Sequence, residues 1–179
     1  MQIEETCAIV TGGASGLGEA TARLLRASGA QVTLLDRQKE RGEQVAAEIG
    51  ATFVETDVTS EDSVRAAIAA ASAAMGKINA AVNCAGIGTA EKTLHKEGAH
   101  SLDHYRRVID INLVGTFNVA RLAAAEMAKN APSSDGQRGV IVNTASVAAF
   151  DGQKGQVAYA SSKAGIAGMS LPMARDLSR

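Results

Sequence analysis

The sequence predicts a Rossmann-type α/β fold, a doubly wound parallel sheet with helices on both faces. Short apolar runs alternate along the chain with longer segments of helical period, and this alternation favours parallel strands covered by helices. The glycine-rich stretch 11–18 stands between the first apolar run and the first helical segment. Such a strand–turn–helix unit is typical of folds that bind a dinucleotide beyond the carboxyl ends of their strands.

The remaining elements follow from the same patterns. Strands are predicted over residues 7–10, 31–35, 52–55, 80–83 and 139–143, the last apolar enough to be buried on both faces. Helices are predicted after the glycine-rich stretch, over 38–49 up to Gly50, from residues 59–62 onward, over 101–130 and over 157–177. A polar segment, 87–100, and a loop, 131–138, lie between them. The first helix carries one apolar stripe, formed by Leu17, Ala20, Leu24 and Ala27.

The composition describes a single domain over residues 1–179. With 46% hydrophobic residues the chain can bury one substantial core, and two prolines are too few for linkers. A net charge of −1 argues against nucleic acid as a partner. No apolar run reaches the roughly eighteen residues that span a membrane, and the polar N-terminus is no signal peptide. Cys7 and Cys84 lie in separate strand regions, so we expect reduced thiols and a cytoplasmic location.

The histidines give no metal pattern. His95, His100 and His104 fall in or beside the polar segment 87–100 and have no cysteine or carboxylate at a recognisable ligand spacing. Surface or helix-capping roles are therefore expected, and no metal is predicted.

The glycine-rich stretch has the chemistry of a phosphate-binding loop. Gly12, Gly16 and Gly18 permit a tight turn and bring backbone N–H groups close to a pyrophosphate. The positive end of the following helix also favours an anion. With a strand before it and a helix after it, the loop predicts a dinucleotide site.

The residue that ends the second strand indicates which dinucleotide binds. Asp36 stands eighteen residues after Gly18, where a carboxylate accepts hydrogen bonds from ribose hydroxyls and repels the 2′-phosphate of NADP. Arg37, immediately after it, would instead attract that phosphate, but Ser15 supplies no second base. The balance predicts NAD.

A tyrosine and a lysine stand one helical turn apart near the end of the sequence. Tyr159 and Lys163 are residues i and i+4 of the last predicted helix, so their side chains share one face. The lysine ammonium favours the ionised phenol, which can then take or give a proton as a general acid–base. Ser146 lies thirteen residues before Tyr159. Together with the glycine-rich loop, these three residues predict an enzyme.

In order and spacing these motifs resemble the short-chain dehydrogenase/reductase family over essentially the whole chain. The closer likeness is to its type II 3-hydroxyacyl-CoA dehydrogenases, through residues 83–87, 111–119 and 136–153 and the segment with Lys92 and Thr93. The resemblance implies hydride transfer between NAD and an acyl-CoA. Another NAD-dependent hydroxysteroid or secondary-alcohol dehydrogenase is the alternative, and a non-catalytic nucleotide-sensing domain is the alternative of another class. The family resemblance also implies a polypeptide longer than 179 residues, with further strands after this chain.

The resemblance further implies roles for individual residues. Tyr159 would be the catalytic acid–base, Lys163 would support it and bind the nicotinamide ribose, and Ser146 would hold the substrate oxygen. Asn112 would shape the long helix around a water that serves Lys163, although a tolerated polar residue is the plain alternative. The cofactor would also contact a set formed by Ser15, Leu17, Asp57, Val58, Asn83, Cys84, Ala85 and Gly86.

The same likeness extends to the substrate and to partners. Gln153 and Gln156 would line the substrate pocket, or stand in an ordinary solvated loop. Apart from the likeness, Lys92 and Lys96 are two bases in the segment 87–100, next to the expected mouth of the pocket. They would attract the phosphates of coenzyme A, or be plain surface lysines. The long helix and the final helix would pack against a second copy, giving a dimer or tetramer.

Overall fold

The computed structural model describes residues 2–178, and its centre is a five-stranded parallel sheet. The strands are β1 Cys7–Thr11, β2 Gln31–Asp36, β3 Thr52–Glu55, β4 Ala80–Asn83 and β7 Val140–Asn143. They lie in the order β3-β2-β1-β4-β7. Strands β2 and β3 therefore lie on one side of β1, and β4 and β7 lie on the other side. The point between β1 and β4 where the strand order changes side is a topological switch point, and such a point opens a crevice for ligands. A short antiparallel hairpin, β5 Leu94–His95 and β6 Gly98–Ala99, stands outside this sheet.

The described residues contain six α-helices. They are α1 Gly16–Ala27, α2 Lys39–Ile49, α3 Glu61–Met75, α4 Leu102–Ile109, α5 Gly115–Met127 and α6 Val157–Asp176. Of these, α1, α2, α3 and α5 pack on the sheet. Gly50 ends α2 in the left-handed conformation, and Ser60 caps α3 by accepting from Ser63 N. The predicted doubly wound α/β class is confirmed.

Two apolar cores lie on opposite faces of the sheet. On one face α1 and α2 pack on Ala8, Val10, Val32 and Leu34. On the other face α3 and α5 pack on Ile9, Leu35 and Ala81 through a set that includes Val64, Ala67, Ile68, Ala71, Met75, Val119, Leu122 and Ala123. Because both faces of β1 and β2 are buried, their continuous apolar runs are explained.

The predicted helix α1 forms, but its apolar stripe does not face the sheet. Leu17, Ala20, Leu24 and Ala27 are all exposed, with Leu17 and Leu24 each at 69%. The buried side instead carries Gly18 and Ala22, because small residues let the helix approach the strands closely. Leu17 and Leu24 therefore stay outside, whereas Leu25 packs against the edge of the core.

Strand β7 differs from the buried strand that its sequence predicts. Among residues 2–178 it pairs with β4 alone, and Val140 and Val142 are 38% and 49% exposed. Their partners in register, Ala80 and Val82, belong to the core under α1 and α2, so this is the face that stays open beside β7. Ile141 points to the opposite face, where it packs on the core of α3 and α5.

The single long helix expected over residues 101–130 is interrupted. A π-helical turn, Asp110–Val114, separates α4 from α5. By length and composition the combined helix Leu102–Met127 qualifies as a candidate membrane span, with a mean hydropathy of 1.3, but half of that apolar window is buried inside the fold. The core contacts of α5 account for its apolar character.

Candidate active site

A cleft of about 870 Å³ opens beyond the carboxyl ends of β1, β2 and β4. This volume lies within the usual range of about 300–1,000 Å³ for small-molecule sites. Its walls contain predicted cofactor residues from all three strand ends together with Tyr159 and Lys163. Those predicted residues are Gly12, Ser15, Gly16, Leu17, Gly18, Asp36, Asp57, Val58, Cys84, Ala85 and Gly86.

The glycine-rich loop leaves space for a phosphate. Gly16 has a φ of +54°, and an added Cβ would meet nothing within 4 Å, so the volume beside it is open. Gly18 is constrained differently, because a Cβ there would lie 2.2 Å from the Gly12 carbonyl oxygen. Ser15 precedes α1 and makes no capping hydrogen bond with its side chain. The hydroxyl and the first N–H groups of α1 thus fit a pyrophosphate.

Asp36 orders the loop as well as facing the cleft. Its Oδ2 accepts from Ala14 N at 3.1 Å and its Oδ1 accepts from Gln38 N at 3.0 Å. Each carboxylate oxygen has two lone pairs, so both retain capacity for a ribose hydroxyl. Arg37 Nε lies 3.8 Å from Asp57 Oδ2, which gives this exposed cation a carboxylate partner inside the protein.

Asp57 and Val58, which follow β3, line the cleft in different ways. Asp57 Oδ1 accepts from both Thr59 N and Thr59 Oγ1, and chiefly the hydroxyl bond holds the pKa of Asp57 below its ordinary value. Val58 is 7% exposed, and its carbonyl accepts from Asn118 Nδ2 at 2.9 Å. Asp57 therefore forms a turn, and Val58 supplies an apolar wall.

Thr11 fastens the end of β4 to the end of β1. Its buried hydroxyl accepts from Cys84 N and from Ala85 N, both at 3.1 Å, so these two residues present backbone to the cleft. Asn83, predicted to lie beside the cofactor, is instead 3% exposed and absent from the cleft wall. Its Nδ2 donates to Asn143 Oδ1 at 2.9 Å, and this bond joins β4 to β7.

Tyr159 and Lys163 lie together in α6 at the inner end of the cleft. Lys163 Nζ lies 5.7 Å from the centre of the Tyr159 ring and donates to the Thr144 carbonyl at 2.6 Å. Lys163 is 6% exposed, and this burial lowers the pKa of its ammonium below its ordinary value. Tyr159 keeps partial exposure to the cleft. A phenol open to substrate and backed by a buried ammonium suits proton transfer.

Asn112 holds the π turn against two other segments. Its Oδ1 accepts from Ile87 N at 2.8 Å, and its Nδ2 donates to Ile87 O at 2.9 Å and to Ser162 Oγ at 3.0 Å. Ser162 Oγ in turn donates to the Tyr159 carbonyl at 2.7 Å. Asn112, fully buried, thus connects the cleft wall after β4 to the helical turn that carries Tyr159.

The predicted substrate residues take separate places. Ser146 caps the 3-10 turn Val147–Ala149, where its Oγ accepts from Ala148 N at 3.2 Å. Gln156 lines the main cleft beside Tyr159. Gln153 is exposed and lines a second, smaller pocket with Lys92. Of the two glutamines, Gln156 is therefore the one placed to meet a substrate in the cleft.

The histidines contradict the expectation that they lack a carboxylate partner. The β5–β6 hairpin brings all three of them round Glu91. His104 Nδ1 contacts Glu91 Oε2, whereas His95 Nε2 and His100 Nε2 lie 3.6 and 3.8 Å from its carboxylate oxygens. Chiefly through the His104 hydrogen bond, the pKa of Glu91 is lowered to about 2. The cluster could not be recognised from the sequence, because the β5–β6 hairpin brings these side chains together and no regular spacing along the chain reveals it.

A family model described as short chain dehydrogenase matches residues 6–179 of this chain. The chain belongs to the short-chain dehydrogenase family. The 3-hydroxyacyl-CoA dehydrogenase type-2 of Drosophila melanogaster is 56% identical over 180 residues, covering 98% of this chain and 71% of that protein. The human protein of the same name is 55% identical over 174 residues, covering 95% of this chain and 67% of its own length.

Solved structures of short-chain dehydrogenases superimpose closely on this chain. The crystal structure of 3-hydroxyacyl-CoA dehydrogenase type-2 from Mycobacterium avium is 47% identical with a TM-score of 0.92, covering 98% of this chain and 70% of that one. A 7α-hydroxysteroid dehydrogenase in complex with NADH and 7-oxo glycochenodeoxycholic acid is 30% identical with a TM-score of 0.88, covering 99% and 67%. The predicted family is confirmed, and the chain is a dehydrogenase-type oxidoreductase.

Sequence reasoning missed several residues that position the short-chain dehydrogenase site. Thr11 and Thr144 act through a hydroxyl and a carbonyl that contact the β4 end and Lys163, and Ser162 links Asn112 to α6. Ser162 occupies a variable position between Tyr159 and Lys163, and Thr144 acts through its backbone, so the residue type gives no signal at either position. The strand-end position of Thr11 was the one available signal, because strand ends face the ligand crevice in this class of fold.

Proposed function

We propose that the protein transfers a hydride reversibly between NAD and the 3-hydroxyl or 3-keto group of an acyl-CoA. The observation that carries this proposal is its 55–56% identity to type-2 3-hydroxyacyl-CoA dehydrogenases over nearly the whole chain. The cleft supports it, because the glycine-rich loop and the pair Tyr159 and Lys163 open into one cavity.

In the oxidation direction, the Tyr159 oxygen takes the proton from the substrate hydroxyl while the carbonyl double bond forms. A nicotinamide held in the cleft would supply the acceptor for the hydride of the same carbon. Lys163 stabilises the phenolate that receives the proton, since its buried ammonium lies beside the ring. Ser146 steadies the substrate oxygen by donating a hydrogen bond as charge develops there. In reduction each step runs in reverse, and Tyr159 returns the proton.

The preference for NAD rests on the electrostatics around Asp36. Its carboxylate faces the cleft where a 2′-phosphate would bring a second negative charge. Arg37, the one base next to it, leans toward Asp57 at 3.8 Å, which weakens its pull on a phosphate. Both features favour the unphosphorylated ribose.

Coenzyme A is proposed to lie over the smaller pocket. Lys92 and Lys154 line this pocket, and it adjoins the main cleft through Gln156, which lines both. Lys96 stands exposed between the two hairpin strands. Charge reversal of Lys92 and Lys96 should raise the KM for a CoA thioester and leave the KM for a short ketone unchanged. A Lys129→Glu control, distant in sequence and exposed, should change neither; equal rises for both substrates would contradict the CoA role.

A panel of substrates tests the proposed function directly. Loss of NADH absorbance should be fastest with acetoacetyl-CoA, and slower with a 7-oxo steroid and a simple ketone. A steroid faster than the thioester would instead favour the hydroxysteroid dehydrogenase alternative, which the 30% identity to a 7α-hydroxysteroid dehydrogenase supports. NADH binding without turnover of any substrate would leave the nucleotide-sensing alternative.

We further propose a homo-oligomer in a reducing, cytoplasmic compartment. Val114, Phe117 and Leu171, on the π turn, α5 and α6, are 45%, 48% and 57% exposed, and burying them against a second copy would stabilise a dimer or tetramer. Both cysteines are free thiols in the fold, as a reducing compartment requires. Light scattering after gel filtration measures the oligomer, and a monomer at micromolar concentration would refute it.

A further inference from the structure

A cluster of one carboxylate and three imidazoles lies at the start of α4, apart from the residues that line the main cleft. Donor atoms of Glu91, His100 and His104 all lie within 4.8 Å of one another. The β5–β6 hairpin folds the chain back so that His100 comes beside Glu91. Ser101 caps α4 by accepting from His104 N, which fixes His104 in the first turn facing the same carboxylate.

The ring of His100 is held in the orientation of a metal ligand. Its Nδ1 lies 3.1 Å from the Glu91 carbonyl oxygen, which can only accept, so Nδ1 carries the proton and donates. In the neutral ring the lone pair is then on Nε2. That atom is buried and has no hydrogen-bond partner within residues 2–178, and the side chain is 10% exposed. Metal-binding histidines typically donate their second N–H to a carbonyl in this way.

The arrangement of acceptor atoms favours a positive charge between His100 and Glu91. His100 Nε2 presents a lone pair to Glu91 Oε2 across 3.8 Å, and both atoms are acceptors. A cation between them satisfies both. Ligands of Zn²⁺ lie about 2.0–2.2 Å from the ion, which puts tetrahedral donors about 3.4 Å apart, close to the observed separation.

His95 lies at the edge of the cluster, beside Glu91 but outside the group of three residues whose donor atoms are mutually within 4.8 Å. His95 Nδ1 lies 3.0 Å from Glu97 Oε2, and its Nε2 lies 3.6 Å from Glu91 Oε1. When His95 Nδ1 carries the proton and donates it to Glu97, the lone pair of His95 is on Nε2, which faces Glu91. Imidazole nitrogens and a carboxylate oxygen form a ligand set that suits Zn²⁺ and other divalent transition metals.

We propose that Glu91, His100 and His104 bind one divalent transition-metal ion of the Zn²⁺ type, with His95 at the edge of the site. The proton that His104 Nδ1 shares with Glu91 is released when the ion binds, because ligation takes the lone pair of the nitrogen. The ion fastens the β5–β6 hairpin to the first turn of α4. Glu91 also lines the smaller pocket, and its N–H donates to Gly155 O at 2.9 Å, so the metal holds one wall of that pocket in place. The proposal is independent of the acyl-CoA assignment.

Cobalt binding tests the site, because tetrahedral Co²⁺ absorbs visible light and replaces Zn²⁺ at such ligands. Tag-free full-length protein, stripped with a chelator, should bind one equivalent of Co²⁺ at pH 7.5, and Zn²⁺ should displace it. Glu91→Gln, whose amide oxygen can still accept from Ser101 N, and His104→Gln should each weaken binding at least about tenfold. The matched control Asp103→Asn, 94% exposed and paired with Arg106, should bind like the wild type.

Several outcomes would overturn the proposal. Binding that does not saturate, equal binding by the wild type and both ligand variants, or a sulfur-to-cobalt charge-transfer band from Cys84 would each refute it. Far-UV circular dichroism checks that the variants fold. If they do not, hydrogen exchange of the wild type decides: Zn²⁺ should slow exchange of backbone amides in residues 91–104, and slowing confined to other residues would count against the site.

Discussion

The close approach between α1 and its preceding loop makes a sharp test of the cofactor site. In Gly18→Ala the new methyl group would lie 2.2 Å from the Gly12 carbonyl oxygen and 2.6 Å from its carbon. Both neighbours are backbone, so no side chain can move aside. The loop or the helix has to shift instead.

The size of the effect follows from that distance. Ordinary contact begins at 3.4 Å, so the Gly12 carbonyl and α1 must separate by about 1.2 Å, and overpacking of this kind costs about 1–3 kcal/mol. We expect the free energy of unfolding to fall by about this amount. The loop is also displaced from the geometry that binds a pyrophosphate, so Kd for NADH should rise about 5- to 150-fold, the same range of free energy.

The matched control is Gly168→Ala in α6. Gly168 is also helical, but its Cβ would meet nothing within 4 Å and its φ is not positive. Alanine in an open helix interior stabilises by about 0.5–1 kcal/mol, and NADH affinity should not change. Urea unfolding and NADH fluorescence titration measure both quantities. Wild-type affinity and stability in Gly18→Ala would refute the steric reasoning.

Further predictions concern catalysis, cofactor choice and the thiols. Tyr159→Phe should lower kcat by about two to four powers of ten with NADH affinity unchanged, because only the proton-transferring oxygen is lost; near-normal turnover would exclude the role. Asp36→Ala should shift kcat/KM toward NADP, and a wild type that already prefers NADP would contradict this. NADH should protect Cys84, in the cleft wall, from iodoacetamide; equal labelling rates would count against the site. Burial raises the pKa of the Cys7 thiol, so the unfolded chain ionises first as pH rises; above the ordinary thiol pKa, unfolding free energy should fall in the wild type relative to Cys7→Ala.

The sequence predicts well where a local pattern determines the structure. The alternation of strands and helices, the glycine-rich loop and the spacing of Tyr159 and Lys163 each reflect short-range geometry. The structure accordingly brings the loop and this pair into one cleft. The apolar stripe of α1 predicts the wrong buried face. The pattern shows only which residues are apolar, whereas close packing on the sheet selects the small residues Gly18 and Ala22.

Features that depend on distant hydrogen bonds escape prediction. A local bond, in which Gln156 Oε1 accepts from Gln153 N, has the same effect: both glutamines line the smaller pocket, but only Gln156 also reaches the main cleft. The histidine cluster needs a hairpin of two-residue strands, too short for any strand pattern. Burial of Asn83 against Asn143 needs the pairing of β4 with β7, which lie sixty residues apart.

The π turn at Asp110–Val114 sets the rotational phase between two helices. An α-helix advances about 100° per residue, and the wider π turn accommodates one residue more than a regular α-helical turn. Deleting a single residue there would restore a regular helix and rotate the α5 side chains by about 100° relative to those of α4. Val119 and Ala123 would then leave the core under the sheet while α4 kept its place. The extra residue is therefore a geometric spacer: it lets Asn112 face α6 and Val119 face the sheet from one continuous helix.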